Sequence, residues 1–183
     1  MKAEDHSTQW IRDLLYQDVF RMAVLQQVAK LGLPDCFVAA GFVRNKVWDT
    51  LYGTTTRLND IDVVFFDSDD EQNKKESLAQ NTLDRLDPEI KWQVKNQAFM
   101  HSRNHDPEYS NTADAMCYWP EKETAIGVRL AKNGQIEICP PFGVQSLLEG
   151  QLSHNPKRSI EVFKQRLEEK QWLLIWPKLQ VVV

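Results

Sequence analysis

The stretch Asp60-Ile61-Asp62-Val63-Val64-Phe65-Phe66 places apolar, β-branched and aromatic residues on both faces beyond Asp62. Only an inner strand, covered on both sides by other elements, can bury such a segment. That commits the chain to a layered architecture of helices around a small sheet. Its two acids stand two residues apart, so they share one face at the start of the strand. Two carboxylates so placed repel each other unless a positive charge lies between them. A magnesium ion, which takes oxygen ligands and commonly one or two carboxylates plus substrate phosphates, answers that need. Two solvated strand-end acids, or an acid capping the turn, would give the same pattern.

The other elements follow from spacing. Apolar positions Ile11, Leu14, Leu15, Val19, Met22, Leu25 and Val28 recur every three or four residues, predicting one long amphipathic N-terminal helix from Thr8 that ends at Gly32 and Pro34. Residues 36–40 read as a short buried strand that runs into Gly41, and residues 42–52 as a helix stopped by Gly53. The acidic run Asp67-Ser68-Asp69-Asp70-Glu71 suits the positive end of a helix reaching Leu86. Residues 92–97 form a third strand, and residues 101–119, polar and rich in Asn and Asp, a long loop. Lys132-Asn133-Gly134 joins two further strands. A three-residue loop with Gly134 left-handed sets Leu130 opposite Ile136, Val128 opposite Ile138 and Arg129 opposite Glu137, the register that keeps apolar residues on one face. Asn155-Pro156 predicts the cap and first turn of a C-terminal helix that runs on into Trp172-Leu173-Leu174-Ile175-Trp176.

With 183 residues, 42% apolar and 26% charged, the expectation is a single domain over residues 1–183, with residues 153–183 a C-terminal helical appendage packed on it. The fold class is α/β, mixed toward α+β, with a small mixed sheet flanked by helices. The formal charge, 22 − 26 = −4, disfavours a long nucleic acid as partner. No apolar run is long enough for a membrane span, and the polar start from Met1 to Gln9 lacks a secretory core. Cys36, Cys117 and Cys139 form neither a disulfide framework nor a CxxC motif, so a reducing cytoplasm is the plain reading.

A second constellation lies about twenty residues before the acids. A strand running through Gly41 into a helix offers free backbone N–H groups, and glycine admits a phosphate closely. Arg44 in the first turn can reach the same anion; a tight turn at Gly41 and a surface ion pair at Arg44 are the plainer alternatives. Together the two halves describe a phosphate cradle facing a metal site. Of the six tryptophans, Trp48, Trp172 and Trp176 fall on apolar helix faces and belong to the core. Trp92 and Trp119 are candidates for stacking or for the rim of a site.

Gly41-Phe42-Val43-Arg44-Asn45, the helix ending Leu51-Tyr52-Gly53, and Asp60-Ile61-Asp62 resemble the nucleotidyltransferase superfamily, which includes DNA polymerase beta and the CCA-adding and poly(A) polymerases. Over nearly its whole length the chain is similar to the small bacterial nucleotidyltransferase-like family formerly called DUF925. The matching stretches are Val94-Lys95-Asn96-Gln97, Met100-His101, Gly127-Val128-Arg129-Leu130, Pro141-Phe142-Gly143 and Trp176-Pro177-Lys178-Leu179.

The resemblance implies a nucleotidyltransferase fold in which Asp60 and Asp62 are catalytic and hold Mg²⁺ or Mn²⁺, and Gly41, Phe42 and Arg44 bind a nucleoside triphosphate. The reaction implied is transfer of a nucleoside monophosphate to a small-molecule or protein acceptor. The alternative is a catalytically incomplete nucleotide-binding or regulatory protein of the same fold. The chain departs from the pattern in three places. Phe42 replaces a small residue, Asn45 replaces an aspartate, and residues 91–97 lack the third acid that a neighbouring strand supplies in the superfamily. Asn96, His101 and Glu137 are the candidates for a third ligand or a substrate contact; the hairpin register already pairs Glu137 with Arg129, and Asp114 is unplaced. His101, His105 and Asp106 are close in sequence but match no metal motif.

Overall fold

The computed structural model describes residues 3–70 and 72–183. Met1 and Lys2, at the head of the polar N-terminal stretch, and Glu71 of the acidic run lie outside the described residues.

The predicted long N-terminal helix is two helices, α1 (Ala3–Tyr16) and α2 (Val19–Ala29). The break falls at Asp18, whose carboxylate accepts the Arg21 N–H at 3.0 Å and so caps α2. An aspartate that satisfies the first turn of a new helix competes with continuation of the old one. Spacing alone missed the break because both helices bury their apolar residues, among them Ile11, Leu15, Val24 and Leu25, in one core.

Strand β1 (Phe37–Ala39) is buried throughout and turns directly into α3 (Gly41–Tyr52). Gly53 closes α3 in the left-handed conformation, as its position predicts. Strand β2 (Ile61–Phe65) follows, then α4 (Lys74–Leu86) and β3 (Trp92–Asn96). The acidic run does cap α4: the Asp70 carboxylate accepts the Lys75 N–H, and Asp67 pairs with the Lys75 ammonium.

Two five-residue helices, α5 (Met100–Asn104) and α6 (Thr112–Met116), lie in the segment read as a loop. They are too short to show a period, and α6 depends on the Asn111 side chain, which caps it by accepting the Asp114 N–H at 2.8 Å. The hairpin β4 (Gly127–Leu130) and β5 (Ile136–Cys139) has the predicted register, with Arg129 opposite Glu137 and Leu130 opposite Ile136.

The C-terminal part also differs. After α7 (Gln145–Leu148) and β6 (Gln151–Ser153), helix α8 (Ile160–Lys170) begins at Ser159, not at Asn155. Asn155 is buried and donates to the Cys117 and Trp119 carbonyls, both at 2.7 Å. Gln171, at φ 52°, then breaks the chain before α9 (Trp172–Ile175). A final strand, β7 (Gln180–Val182), pairs in parallel with β6. Two three-residue strands carry no alternation to read.

The five-stranded sheet has the order β3-β2-β1-β4-β5, with β2 and β3 parallel and the other pairs antiparallel. As an inner strand flanked by β1 and β3, β2 has the surroundings that its apolar composition requires. No described helix is long and apolar enough to cross a membrane.

Candidate active site

The site begins at a strained turn. Ala40 sits at φ 58°, ψ −125°, a conformation that a side-chain-bearing residue adopts only when its surroundings impose it. Its N–H donates to the Ile126 carbonyl at 3.0 Å, and its carbonyl accepts the N–H groups of Val43 and Arg44. This turn aims the first residues of α3 into a cavity of about 600 Å³. Gly41 is helical, so no positive φ demands glycine there. A Cβ at Gly41 would lie 3.5 Å from Nη2 of Arg44, on ground that the glycine leaves open.

Arg44 is 7% exposed. Nη1 donates to Thr124 Oγ1 at 2.6 Å and Nη2 to Asn45 Oδ1 at 2.9 Å; Nε has no hydrogen-bond partner among the described residues. The guanidinium packs over the rings of Trp172 and Trp48, 4.7 and 5.3 Å from their centroids. Burial lowers its pKa to about 10, still charged at neutral pH. Asn45, where the superfamily pattern has an aspartate, is therefore a neutral clamp on Arg44 that leaves the positive charge uncancelled.

Asp60 and Asp62 line the same cavity from the start of β2. Burial first, and the charge of Asp60 second, push the Asp62 pKa up to about 6; Arg44, Lys170 and Arg166 oppose the shift. Mutual repulsion between two oxygen-only ligands is the condition that a hard divalent cation relieves, so the pair fits one magnesium ion. The β3 residue opposite Asp62 in the parallel register is Gln93, whose Nε2 donates to Asp60 Oδ2 at 2.7 Å. A glutamine thus stands where a third acid was sought, and among the described residues no group of three acidic, histidine or cysteine side chains could hold a metal.

The other sequence candidates lie elsewhere. The Phe42 ring is 1% exposed in the core under the Arg21 guanidinium, and only its backbone belongs to the turn. Asn96 is buried, with its side chain spent on the Asp67 backbone and the Ala98 N–H. His101 bonds the Ala98 carbonyl and Ser102. Glu137 pairs with Arg129 at 2.6 Å across the hairpin, as the register requires. Asp114 accepts the Ser110 N–H beside α6. Asp106 pairs with Arg158, away from any metal-like cluster. Trp92 is a core residue whose Nε1 donates to the Asp87 carbonyl, whereas Trp119 lines the cavity. Trp172 and Trp176 are buried as expected and also form a cavity wall.

Sequence reasoning missed two cations of the cavity lining. Arg166 and Lys170, one helical turn apart on α8, line the cavity. Arg166 is held by Glu121, which is fully buried. Charges four apart on a helix look like any solvated face, so no local signal marked them.

A nucleotidyltransferase family profile matches residues 26–181. The chain belongs to that nucleotidyltransferase family. A solution structure described as revealing a CCA-adding enzyme head domain is 32% identical, with TM-score 0.83 and 94% of each chain covered. A chain from a tRNA-processing enzyme complex shares the fold at 16% identity and TM-score 0.55, over 86% of this chain and 42% of the other. Comparison with curated proteins gave no match.

Proposed function

We propose that this protein is a divalent-metal-dependent nucleotidyltransferase that moves a nucleoside monophosphate from a nucleoside triphosphate to a hydroxyl of a small-molecule or protein acceptor. The observation that carries the reading is one cavity onto which the Asp60–Asp62 pair, the N-terminus of α3 and the buried Arg44 all open. Asp60 and Asp62 would hold Mg²⁺ or Mn²⁺, which when bound offsets the charge of the triphosphate and of the departing pyrophosphate. The first N–H groups of α3 would donate to phosphate oxygens, and Gly41 leaves them room. Arg44, fixed by Thr124 and Asn45, meets the phosphates with its geometry already set.

In the transfer the acceptor oxygen bonds to the α-phosphorus as the bond to pyrophosphate breaks. The acceptor proton passes to the Asp60 carboxylate or to water, because the Gln93 amide takes none. A CCA-adding relative raises tRNA as an acceptor, but a formal charge of −4 gives little grip on a long polyanion.

The second reading is a protein that binds nucleotide without turnover, and Gln93 opposite Asp62 favours it. The two separate in one assay: full-length protein, Mg²⁺ and each nucleoside triphosphate, with candidate acceptors including tRNA, followed by pyrophosphate release. Release lost in Asp62→Asn supports the transferase. Asp62-dependent binding without release on any acceptor supports the second reading.

A further inference from the structure

The cavity holds more positive charge than an α-phosphate needs. Arg44, Arg57 and Lys170 line it, and none makes an ion pair among the described residues. Arg166, beside Lys170, spends its Nε and Nη2 on Glu121 and leaves Nη1 uncommitted. If a divalent cation offsets Asp60 and Asp62, Arg44, Arg57 and Lys170 are left without an ion-paired carboxylate. A nucleoside monophosphate cannot balance them, and a triphosphate can.

The placement of Arg166 is built. Its partner Glu121 is fully buried, and the Trp172 ring is flanked by two guanidinium groups, Arg44 at 4.7 Å and Arg166 at 5.8 Å from its centroid. Lys170 is exposed, in the last turn of α8, where a cation complements the helix dipole. That ordinary role asks nothing of its direction, yet it faces the cavity beside Arg166, and both charges bear on Asp62.

Resting on the nucleotide reading above, we infer that α8 is the polyphosphate arm of the site: Arg166 and Lys170 bind the β- and γ-phosphates and select nucleoside triphosphates over monophosphates. Residues 153–183 then complete the site instead of merely packing on it.

The test uses the full chain with Mg²⁺ and two kinds of probe, inorganic tripolyphosphate, which carries no base, and ATP against AMP, read by calorimetry. Lys170→Ala weakens tripolyphosphate and ATP five- to tenfold and AMP less than twofold, and Lys170→Arg restores both. Arg166→Lys, which keeps a cation beside Glu121, weakens the same two ligands severalfold. Unchanged ATP-over-AMP preference in Lys170→Ala and Arg166→Lys overturns the inference and leaves the nucleotide reading standing. A wild-type protein that binds neither ATP, any other nucleoside triphosphate, nor tripolyphosphate overturns the nucleotide reading itself.

Discussion

Gln93 donates a 2.7 Å hydrogen bond to Asp60 from the β3 position that faces Asp62 across the parallel ladder. The amide orients one acid and adds no negative charge. Two carboxylates therefore share the site with a neutral third group, while Arg44, Arg57, Lys170 and the Glu121-paired Arg166 line the same cavity. A chain of formal charge −4 thus lines one cavity with more cations than carboxylates.

Gln93→Glu adds the missing carboxylate. It is expected to raise Mg²⁺ affinity about tenfold and to lower stability in the absence of metal, since a third acid joins two that already repel. Titration calorimetry with Mg²⁺ and thermal melts in EDTA report the two effects; unchanged Mg²⁺ affinity would mean that position 93 does not reach the metal.

Asp62 makes stability depend on pH. Its folded pKa, about 6, lies above the ordinary 3.8, so the folded state binds the proton more tightly than the unfolded chain. Below pH 4 both states are protonated and the effect vanishes. As pH rises from 4 through 6 the folded state loses stability, and above 6 the cost is complete. The shift corresponds to about 3 kcal/mol; solvent access at this half-buried group leaves roughly 1–2 kcal/mol. Asp62→Asn is expected to raise the metal-free Tm at pH 7.5 by roughly 2–8 °C and to flatten its fall between pH 4 and 6. A lower Tm in the variant would contradict the assignment.

The Glu121–Arg166 pair is asymmetric, because Glu121 is fully buried and the Arg166 side chain is 30% exposed. Arg166→Ala leaves a carboxylate without partner or water and is expected to cost about 3 kcal/mol in urea unfolding. Glu121→Gln, which leaves the cation within reach of solvent, costs less. The reverse order would mean that Glu121 has another partner.

Much of the candidate site was legible in the sequence. Asp60, Asp62, Gly41 and Arg44 announce themselves because a strand period and a helix start are local rules, and the hairpin register followed from one face having to be apolar. What stayed hidden depends on distant contact. Arg166 and Lys170 reach the cavity only through the way α8 packs, and Gln93 only through the β2–β3 register. The break at Asp18 was invisible for the opposite reason: two helices on one core keep one apparent period.

Gly150 sits at φ 67°, and a Cβ there would fall 1.8 Å from the Tyr52 hydroxyl. Gly150→Ala is expected to cost about 1–3 kcal/mol by denaturant unfolding, with a double variant Gly150→Ala/Tyr52→Phe recovering only the steric share.

Asp60 and Asp62 are proposed to bind nucleotide through a divalent cation. Calorimetry of each nucleoside triphosphate, with Mg²⁺ and with EDTA, on wild type and Asp62→Asn tests it most directly. The expected result is Mg²⁺-dependent binding of at least one nucleotide, weakened at least tenfold in Asp62→Asn. Binding of equal strength in EDTA, or fully retained in Asp62→Asn, would contradict it.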